Sequence, residues 1–569
     1  MSKSNDVIDN NLKIGKIIEV DGTHIKAELD KSIDELSKVY NSEVYTIGQY
    51  GSILKSYFGN KILFMYVTRL RLKSEIEAEK GNYISPSEDS RIIEADLFGE
   101  GQWKINNGKS SRLKFIRGIS TYPLPLQKLY LTTSVELKSI YETKNKNSIK
   151  IGSYVGSGGI PCYADINEMF CKHTAILGST GSGKSGTVAA VIHALDAYSK
   201  NDETIWHPHI LMFDPHNEYK KAFPQAKRLV SDEGSLNLPY WLLNLQELTD
   251  LFIGKSRYQA TSQINILKNA LIECRKEGAE YVGFEANDVS VDSPIPFSLE
   301  NLIEKIKDDM PSQKSKRRSH NKILNKIDTL RDDSRLNFLM NDWTSEEDEI
   351  VDIISQFISS ENSIIILDLS GIPNDVAGIV SSSIARLLFM YKLWEHPDER
   401  KVDPILLVCE EAHRYVPNKG EAEYADAQDA IKRIAKEGRK YGLGLMLVSQ
   451  RPSEIEPTVL SQCNSWLVLR LTNNNDQSFV STFLPDSLSS LSKLLPSLRR
   501  REAIFIGQAA SIPSRILINN LSEDKLPKSN DIPFVEGWSC EPVSKDKINQ
   551  VANRWRIQCR GEYEGASSS

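Results

Sequence analysis

The stretch HTAILGSTGSGKS, residues 173–185, decides the fold of this chain of 569 residues. It begins as an apolar strand, continues into the pattern Gly-x-x-x-x-Gly-Lys-Ser, and opens a predicted helix from Ser185 to Leu195. The pattern alone also occurs by chance, but a strand before it and a helix after it are the context that phosphate binding requires. The segment therefore predicts a phosphate-binding loop, with a glycine-rich turn that binds no nucleotide as the alternative.

Each part of this loop has a predicted task. Its glycines let the backbone turn several N–H groups inward as an anion nest, and the start of the helix adds its dipole. Lys184 is expected to reach the β and γ phosphates, and the Ser185 hydroxyl to ligate Mg²⁺. The residues predicted to bind ATP are Gly178, Ser179, Thr180, Gly181, Ser182, Gly183, Lys184, Ser185 and Gly186.

Short apolar strands alternate with helical segments from about residue 153 to residue 510. Strands of near-continuous Ile, Leu and Val are typical of a parallel sheet that is covered on both faces. These strands are HTAILG, HILMFDP, SIIILDLS, PILLVCEE, GLMLVSQ and SWLVLRL. The pattern predicts an α/β domain with a mainly parallel sheet.

Two carboxylates, Glu410 and Glu411, follow the strand PILLVC. A carboxylate at a strand tip can hold the water shell of Mg²⁺, and a second one can polarise the water that attacks the phosphate. We assign the metal role to Glu410 and the water-polarising role to Glu411. A solvated strand end without a catalytic task is the alternative.

Three further features are candidate parts of the site. Gln450 ends a predicted strand, where it could sense the γ phosphate or simply cap the strand. Arg439 lies on a Gly-flanked turn and is either a group that reaches the γ phosphate of an adjacent subunit or an ordinary surface arginine. The run DPHNEY, residues 214–219, suggests coupling between the nucleotide and a neighbour, or else an Asp-Pro turn.

The chain divides into four predicted regions. β-Branched segments such as IGKIIEV and KILFMYVTRLRL, separated by turn signals, predict a small antiparallel barrel that is either a bare scaffold or a platform for a partner. A long Leu-, Lys- and Glu-rich segment predicts a helical insertion, and its basic stretch 314–318 is a solvated loop or a DNA contact. In the C-terminal extension, PFVEGWS is expected to be an aromatic anchor. The predicted boundaries are 1–150 for the barrel, 151–220 and 361–520 for the α/β core, 221–360 for the insertion and 521–569 for the extension.

Composition limits the class of protein. With 70 basic and 76 acidic residues the net charge is −6, so any contact with nucleic acid must be local. Seven cysteines without a C-x-x-C pair argue against a disulfide framework and a structural zinc, and they predict a cytoplasmic protein. The first twenty residues lack an apolar core, and no apolar run reaches the roughly 18 residues of a membrane span. We therefore expect neither export nor a membrane partner.

Taken together, these segments resemble the HerA family of hexameric DNA translocases, in the HerA/FtsK group of P-loop ATPases. GSTGSGKS, DPHNEY, IIILDLSGIP, EEAH, EGRKYG and SQRPSEI fall in the family's order, and IGKIIEV, YTIGQYGSI and RGISTYPLP resemble its HAS-barrel. Asn217 and Arg501 each stand where glycine is usual in the family, Arg501 within the hairpin segment LPSLRRREAIFIGQA. Lys172 stands near the position of a second interface arginine, and a point charge does not replace a bidentate fork.

The resemblance implies a RecA-like ATPase core, a homohexameric ring with ATP at its interfaces, Arg439 acting in trans, and double-stranded DNA in the pore. It also implies a nuclease or a sirtuin-like NAD-consuming effector that docks on the N-terminal barrel, in an anti-phage role. We therefore expect an ATP-driven DNA translocase or helicase. The alternative is an ATPase ring that assembles and switches an effector with little translocation, and the sequence is compatible with both.

Overall fold

A computed structural model describes most of the chain. The described residues are 9–33, 36–41, 43–85, 89–106, 109–141, 147–155, 159–198, 206–254, 261–344, 348–358, 361–418, 427–484, 489–528, 534–540 and 542–556. The end of the predicted C-terminal extension, from residue 557 onward, lies outside these ranges.

The strands and helices alternate along the chain in the manner of an α/β protein that follows a β-rich domain. The strands are β1 Lys13–Asp21, β2 His24–Leu29, β3 Ser37–Tyr40, β4 Glu43–Thr46, β5 Ile53–Phe58, β6 Lys61–Leu72, β7 Arg91–Asn106, β8 Lys109–Arg117, β9 Lys128–Leu131, β10 Ser148–Tyr154, β11 Pro161–Asp165, β12 Thr174–Leu177, β13 His209–Asp214, β14 Lys227–Val230, β15 Ile364–Asp368, β16 Ile405–Cys409, β17 Leu443–Ser449, β18 Ser465–Val468, β19 Glu502–Gly507 and β20 Ser514–Ile518. The helices are α1 Lys73–Glu79, α2 Ser134–Tyr141, α3 Lys184–Asp196, α4 Leu245–Phe252, α5 Thr261–Tyr281, α6 Leu299–Asp308, α7 Arg318–Arg331, α8 Asn337–Met340, α9 Ile350–Ser355, α10 Asn374–Trp394, α11 Ala427–Tyr441, α12 Pro457–Leu460, α13 Asn474–Ser481, α14 Ser489–Ser492, α15 Phe534–Trp538 and α16 Lys545–Arg556.

The N-terminal domain is a closed antiparallel barrel. Its six strands follow the order β2-β1-β9-β5-β6-β7, and pairing of β7 with β2 closes the ring. Alternate residues of β2 point inward, so that Ile25, Ala27 and Leu29 join a separate apolar core. Strand β8 continues the sheet outward from β7. The predicted small barrel is confirmed, and its closure removes the exposed strand edges that an open sheet would leave.

The α/β domain contains an eleven-stranded sheet in the order β11-β10-β20-β19-β18-β12-β17-β16-β13-β15-β14. The seven strands from β18 to β14 are parallel, and the remaining four pair antiparallel. Ala175 and Leu177 face one apolar cluster, whereas Ile176 faces another. Both faces of the sheet are therefore covered, which explains the unbroken apolar strands and confirms the predicted mainly parallel α/β core.

The sheet extends into the segment that we predicted to be wholly helical. Strand β14 pairs in parallel with β15 at the sheet edge, so the helical insertion begins after Val230 rather than at residue 221. The sequence KRLV is short and half polar, and it therefore carries no strand periodicity that a prediction could use. Helices α4 to α9 follow, and their apolar faces pack onto the same cluster as the sheet.

The predicted aromatic anchor of the C-terminal extension is wrong. Phe534 and Trp538 lie on the short helix α15 and are 64% and 80% exposed. Their rings pack edge to face against each other rather than into the core of the chain.

Helix α10 is long and apolar enough to cross a membrane by length and composition alone. However, 72% of its most apolar window is buried inside the protein. It packs against α11, α4 and β17, so burial in the core of the domain accounts for its composition.

Candidate active site

The candidate site lies at the carboxyl ends of the parallel strands, where the phosphate-binding loop leaves β12. In the sheet, β12 lies between β17 and β18, and β16 and β13 follow beyond β17. The tips of these strands carry Asp214, Glu410 and Gln450. Parallel strands expose their carboxyl ends along one edge, which is where open α/β sheets bind ligands.

The loop has the backbone conformation of an anion cradle. Gly181 and Gly183 have φ angles of 75° and 96°, in the left-handed region that favours glycine. A Cβ atom on Gly178 would lie 2.6 Å from the Oγ of Ser182 and 2.9 Å from the Cβ of Leu469, so a side chain does not fit there. Helix α3 begins at Lys184 without a side-chain cap. The first backbone N–H groups of α3 are thus available to bind a phosphate.

Lys184 is buried between the two predicted carboxylates. Its Nζ atom lies 3.4 and 3.3 Å from the two carboxylate oxygens of Glu410 and 3.3 Å from Oε1 of Glu411. Burial opposes the charge of Lys184, but the nearby carboxylates outweigh it and raise the pKa of the ammonium group above its ordinary value. Burial raises the pKa of Glu410, and Lys184 offsets this only in part. The structure therefore brings together three residues that are distant in sequence.

The charges at this edge suit a divalent cation. Ser185 donates a hydrogen bond of 2.9 Å from Oγ to Oε2 of Glu218, and the charge of Glu218 acts on the ammonium group of Lys184 together with the charges of Glu410 and Glu411. Mg²⁺ prefers oxygen ligands and is usually held by one or two carboxylates together with substrate phosphates. Among the described residues no group of three or more His, Cys, Asp or Glu side chains forms a metal cage. Ser185, Glu410 and Glu218 fit a Mg²⁺ ion that phosphate helps to bind.

Glu411 occupies a constrained position directly after Glu410. Its φ and ψ angles are 53° and 51°, a left-handed backbone conformation that is uncommon for residues other than glycine. The Nδ1 atom of His413 lies 3.3 Å from Oε2 of Glu411 and 3.2 Å from Oγ of Ser449. Burial lowers the pKa of His413. The Oε2 atom of Glu411 is buried and accepts no hydrogen bond from the described residues, which leaves it available to a water molecule.

The loop after β13 holds Glu410 in place. Tyr219 is fully buried and donates a short hydrogen bond from its hydroxyl group to Oε1 of Glu410. The carboxylate of Asp214 accepts backbone N–H groups from His216, Glu218 and Tyr219, at 3.0 to 3.2 Å. Burial raises the pKa of Asp214 to about 6, although these N–H groups oppose the shift. The predicted cluster 214–219 is thus a rigid turn that orients Tyr219.

Asn217 in this turn explains one departure from the family pattern. Its φ angle is 54°, in the region where glycine is favoured. Asparagine tolerates this conformation better than most residues with a side chain, so it replaces glycine here at a small cost.

Gln450 contacts the loop directly. Its Oε1 atom accepts a hydrogen bond of 2.8 Å from the hydroxyl group of Thr180. The backbone of Ser449 accepts a hydrogen bond of 3.1 Å from the N–H of Gly178. The tip of β17 is therefore attached to the phosphate-binding loop at two points.

Comparison with known proteins finds similarity to HerA helicases. The model for the central domain of helicase HerA matches residues 149–388, a range that includes the whole phosphate-binding loop. A probable helicase of Methanocaldococcus jannaschii is 27% identical over 436 residues, which cover 75% of this chain and 76% of that protein. The DNA double-strand break repair helicase HerA of Sulfurisphaera tokodaii is 28% identical over 437 residues, which cover 74% and 78%. The chain is therefore similar to HerA helicases along about three quarters of its length.

Among solved structures, VirB4 of Thermoanaerobacter pseudethanolicus aligns with a TM-score of 0.46 at 16% identity, over 67% of this chain and 99% of that one. The similarity to HerA helicases rests on the sequence matches.

Arg439 lies at the opposite edge of the sheet. It is exposed in the last turn of α11, so the prediction of a Gly-flanked turn is wrong, because the helix continues to Tyr441. Strand β17 follows and has seven residues, so at about 3.3 Å per residue Arg439 is roughly 20 Å from the phosphate-binding loop of its own chain. Lys172 lies at the same edge, where its Nζ atom contacts Glu168 at 2.6 Å and Gln508 at 2.7 Å.

Arg501, the second departure from the HerA pattern, has a φ angle of 68°. Its backbone N–H donates a hydrogen bond of 3.0 Å to the carbonyl of Ser182, which lies in the phosphate-binding loop. The glycine that is usual in HerA at this position suits a positive φ angle, and the backbone of this chain keeps that angle although the residue is arginine.

Three residues of the site were missed or only partly interpreted from the sequence. Glu218 and His413 stood within recognised motifs, but their contacts with Ser185 and Glu411 depend on the fold. Arg470, immediately beyond β18, was missed altogether. A charged residue that interrupts the apolar run SWLVLRL was a usable signal, because such a residue rarely continues a buried strand without a reason.

Proposed function

We propose that this chain is an ATP-hydrolysing motor that acts on double-stranded DNA as a homohexameric ring. The observation that carries the proposal is the convergence of Lys184, Glu410 and Glu411 at the phosphate-binding loop. A buried ammonium group, a nest of backbone N–H groups and two carboxylates are what nucleotide hydrolysis requires. The names of the HerA relatives support the assignment to DNA.

Each residue of the site has a separate role in the proposed hydrolysis of ATP. The N-terminal turn of α3 and Lys184 would bind the phosphates. Ser185 and Glu410 would hold Mg²⁺, which when bound neutralises charge on the phosphates. Glu411 orients the attacking water and accepts its proton at Oε2. His413, whose pKa is lowered by burial, is neutral near pH 7, and its Nδ1 atom lies 3.3 Å from this same oxygen. Gln450 contacts the loop beside the terminal phosphate.

Ring assembly accounts for the distant arginine. Arg439 is too far from its own loop to touch the same nucleotide, so its catalytic use requires a neighbouring subunit. A ring also reconciles DNA binding with a net charge of −6, because the basic contacts are then confined to the pore. We place the motor in the cytoplasm, where the free cysteines of the chain stay reduced.

The closed barrel is a suitable platform for a partner, because it has its own apolar core. We propose that a nuclease or a sirtuin-like NAD-consuming effector docks there, and that the assembly serves in DNA processing or anti-phage defence. The resemblance to HerA proteins supports this choice of partner.

The decisive experiment measures ATP hydrolysis by the full chain with and without duplex DNA. Lys184→Ala should abolish turnover. Glu411→Gln should keep nucleotide binding and lower kcat by about 10²–10⁴-fold, since it removes only the base. The matched control Glu300→Gln, on α6 away from the site, should behave as wild type. A Glu411→Gln protein with normal turnover would move the base to Glu410.

The same assay tests the coupling to DNA. Duplex DNA should stimulate hydrolysis, and the stimulation should weaken steeply as salt rises, because a pore grips phosphates through ionic contacts. Hydrolysis that is indifferent to DNA at low salt, together with a partner whose activity needs the ring but not Glu411, would replace the translocase by an ATPase scaffold.

A further inference from the structure

Arg470 lies directly beyond β18, the strand next to β12 on the side opposite β17. Its backbone is attached to the start of the phosphate-binding loop. The N–H of Ser179 donates to the carbonyl of Arg470 at 2.9 Å, and the N–H of Thr472 donates to Oγ of Ser179 at 3.1 Å. The position of Arg470 relative to the loop is therefore determined by the sheet, as the position of Gln450 is on the other side.

The guanidinium group of Arg470 points along the loop. Its Nη2 atom lies 3.9 Å from the place that a Cβ atom on Gly181 would occupy. Its Nε atom is buried without a hydrogen-bond partner, and no carboxylate in the described part of the chain forms an ion pair with it. A guanidinium group stays charged at all relevant pH values, and a buried charged N–H without a partner is costly. The geometry calls for an anion that the chain does not itself supply.

The location indicates which part of a nucleotide supplies that anion. The first turn of α3 is at the helix end of the loop, which receives the inner phosphates, and Lys184 reaches from there toward the β and γ phosphates. Thr180 and Gly181 are at the strand end, between the tips of β17 and β18. Gln450 contacts Thr180 from one side, and Arg470 approaches Gly181 from the other. The outer phosphate is the anion that these two tips can reach.

We propose that Arg470 acts in cis: its guanidinium group binds the terminal phosphate of the nucleotide held by the same subunit and stabilises the charge that develops during hydrolysis. This inference rests on the proposed function and adds a catalytic residue to it. Arg470 transfers no proton, because its role is to donate hydrogen bonds. It complements Arg439, which lies at the far edge of the sheet and is available only to another subunit.

The first test uses the full chain and compares ligands with and without the terminal phosphate. Arg470→Ala should lower kcat by about 10²–10³-fold, the usual effect of removing one preorganised donor. It should weaken binding of a non-hydrolysable ATP analogue by about 10-fold or more, as expected for a charge-assisted hydrogen bond, and leave ADP affinity within about 3-fold. Arg470→Lys should recover part of both losses.

A matched control is available at the neighbouring strand tip. Arg451 follows Gln450, and its guanidinium group is already paired with Glu454 at 3.0 Å. Arg451→Ala should therefore retain turnover and ATP preference. Equal losses in the two alanine variants would reflect a general loss of positive charge and would overturn the proposal, as would an equal loss of ADP and analogue binding with a lower melting temperature.

The second test distinguishes action in cis from action in trans. When Arg470→Ala subunits are mixed with Glu411→Gln subunits, every site lacks one of the two groups, so activity should not recover. Recovery would show that Arg470 serves a neighbouring site and would overturn the assignment. Wild-type protein that neither binds nor hydrolyses ATP would refute the proposed function itself. A hydrolysing wild type with an Arg470→Ala variant within about 3-fold of it would refute this inference alone.

Discussion

The two edges of the central sheet differ in how their charged residues are used. At the carboxyl-end edge, Lys184 is 9% exposed and Glu410 is 4% exposed, and each has partners within the chain. At the amino-end edge, Lys172 is paired with Glu168 near the surface, whereas Arg439 is exposed and forms no ion pair within the described part of the chain.

This difference separates what one subunit does by itself from what requires a second. In the proposed function, the buried network around Lys184 supplies the phosphate, metal and water contacts within a single chain. A charge such as that of Arg439, roughly 20 Å from the loop by the length of β17, can contribute only to a nucleotide on another molecule. Variants at the two edges should therefore differ in whether neighbouring subunits can rescue them.

The largest expected effect is at the amino-end edge. Arg439→Ala should lower kcat by about 10³–10⁵-fold, as trans arginines do, while the ring still assembles. Mixing it with Glu411→Gln subunits should restore part of the activity, because some interfaces then combine an intact Arg439 with an intact Glu411. Hydrolysis rates of the mixtures and light scattering measure this. Lys440→Ala, one residue further along the same helix, is the control. A fully active monomer would contradict the comparison.

A smaller effect is expected from the residue that orients Glu410. Tyr219→Phe removes the hydroxyl group that donates a hydrogen bond to the charged carboxylate of Glu410. We therefore expect kcat to fall by about 10–100-fold and the Mg²⁺ concentration needed for activity to rise. Titrating Mg²⁺ in the ATPase assay measures both changes. Tyr240→Phe is the control, because the hydroxyl group of Tyr240 forms hydrogen bonds with Phe297 and Asp342 in the insertion. This variant should change stability rather than kcat. An unchanged Mg²⁺ requirement in Tyr219→Phe would show that Glu410 does not hold the metal.

The buried turn at the carboxyl-end edge should make stability depend on pH. Burial raises the pKa of Asp214 from 3.8 to about 6, so between these values the folded chain retains a proton that the unfolded chain has lost. The contribution of Asp214 to stability should therefore fall as pH rises through this window, by about 3 kcal/mol in total.

Denaturant unfolding of wild type and Asp214→Asn over this pH range tests the sign. Burial lowers the pKa of His173 to about 4, so His173 contributes to the pH dependence of stability with the opposite sign. Because His173 is present in both proteins, this contribution cancels when the unfolding free energies of wild type and variant are subtracted. The advantage of wild type over the variant should shrink as pH rises. A constant difference would mean that Asp214 is already ionised at the low end of the window.

The smallest effect concerns backbone strain beside the loop. Arg501→Gly should stabilise the chain by about 0.5–1 kcal/mol, because glycine adopts the observed positive φ without steric cost. Arg500→Gly, at a neighbouring position where φ is not positive, should instead lower stability by a similar amount. Denaturation midpoints measure both. Loss of stability in Arg501→Gly would show that the contact of its side chain with Asn520 outweighs the strain.

The sequence by itself determined the features that depend on neighbouring residues. The loop 178–186 could be predicted because its glycines, lysine and serine act at fixed local spacing between a strand and a helix. The six apolar strands of the core were predictable because burial on both faces requires an unbroken apolar run, and the barrel strands because their alternation has a period of two. Glu410 and Glu411 could be recognised as candidate site residues for the same reason, because they are adjacent in sequence and directly follow an apolar strand.

Tertiary structure alone decided the features that depend on residues far apart in the chain. Strand order brings Tyr219 to Glu410 across 191 positions and Arg470 to Gly181, and no local pattern encodes which strands become neighbours. The exposed aromatic pair on α15 was mistaken for an anchor because apolar composition predicts burial without specifying what covers it. The sheet also separates Arg439 from its own loop, since helix and strand lengths, rather than residue identity, determine on which edge a side chain lies.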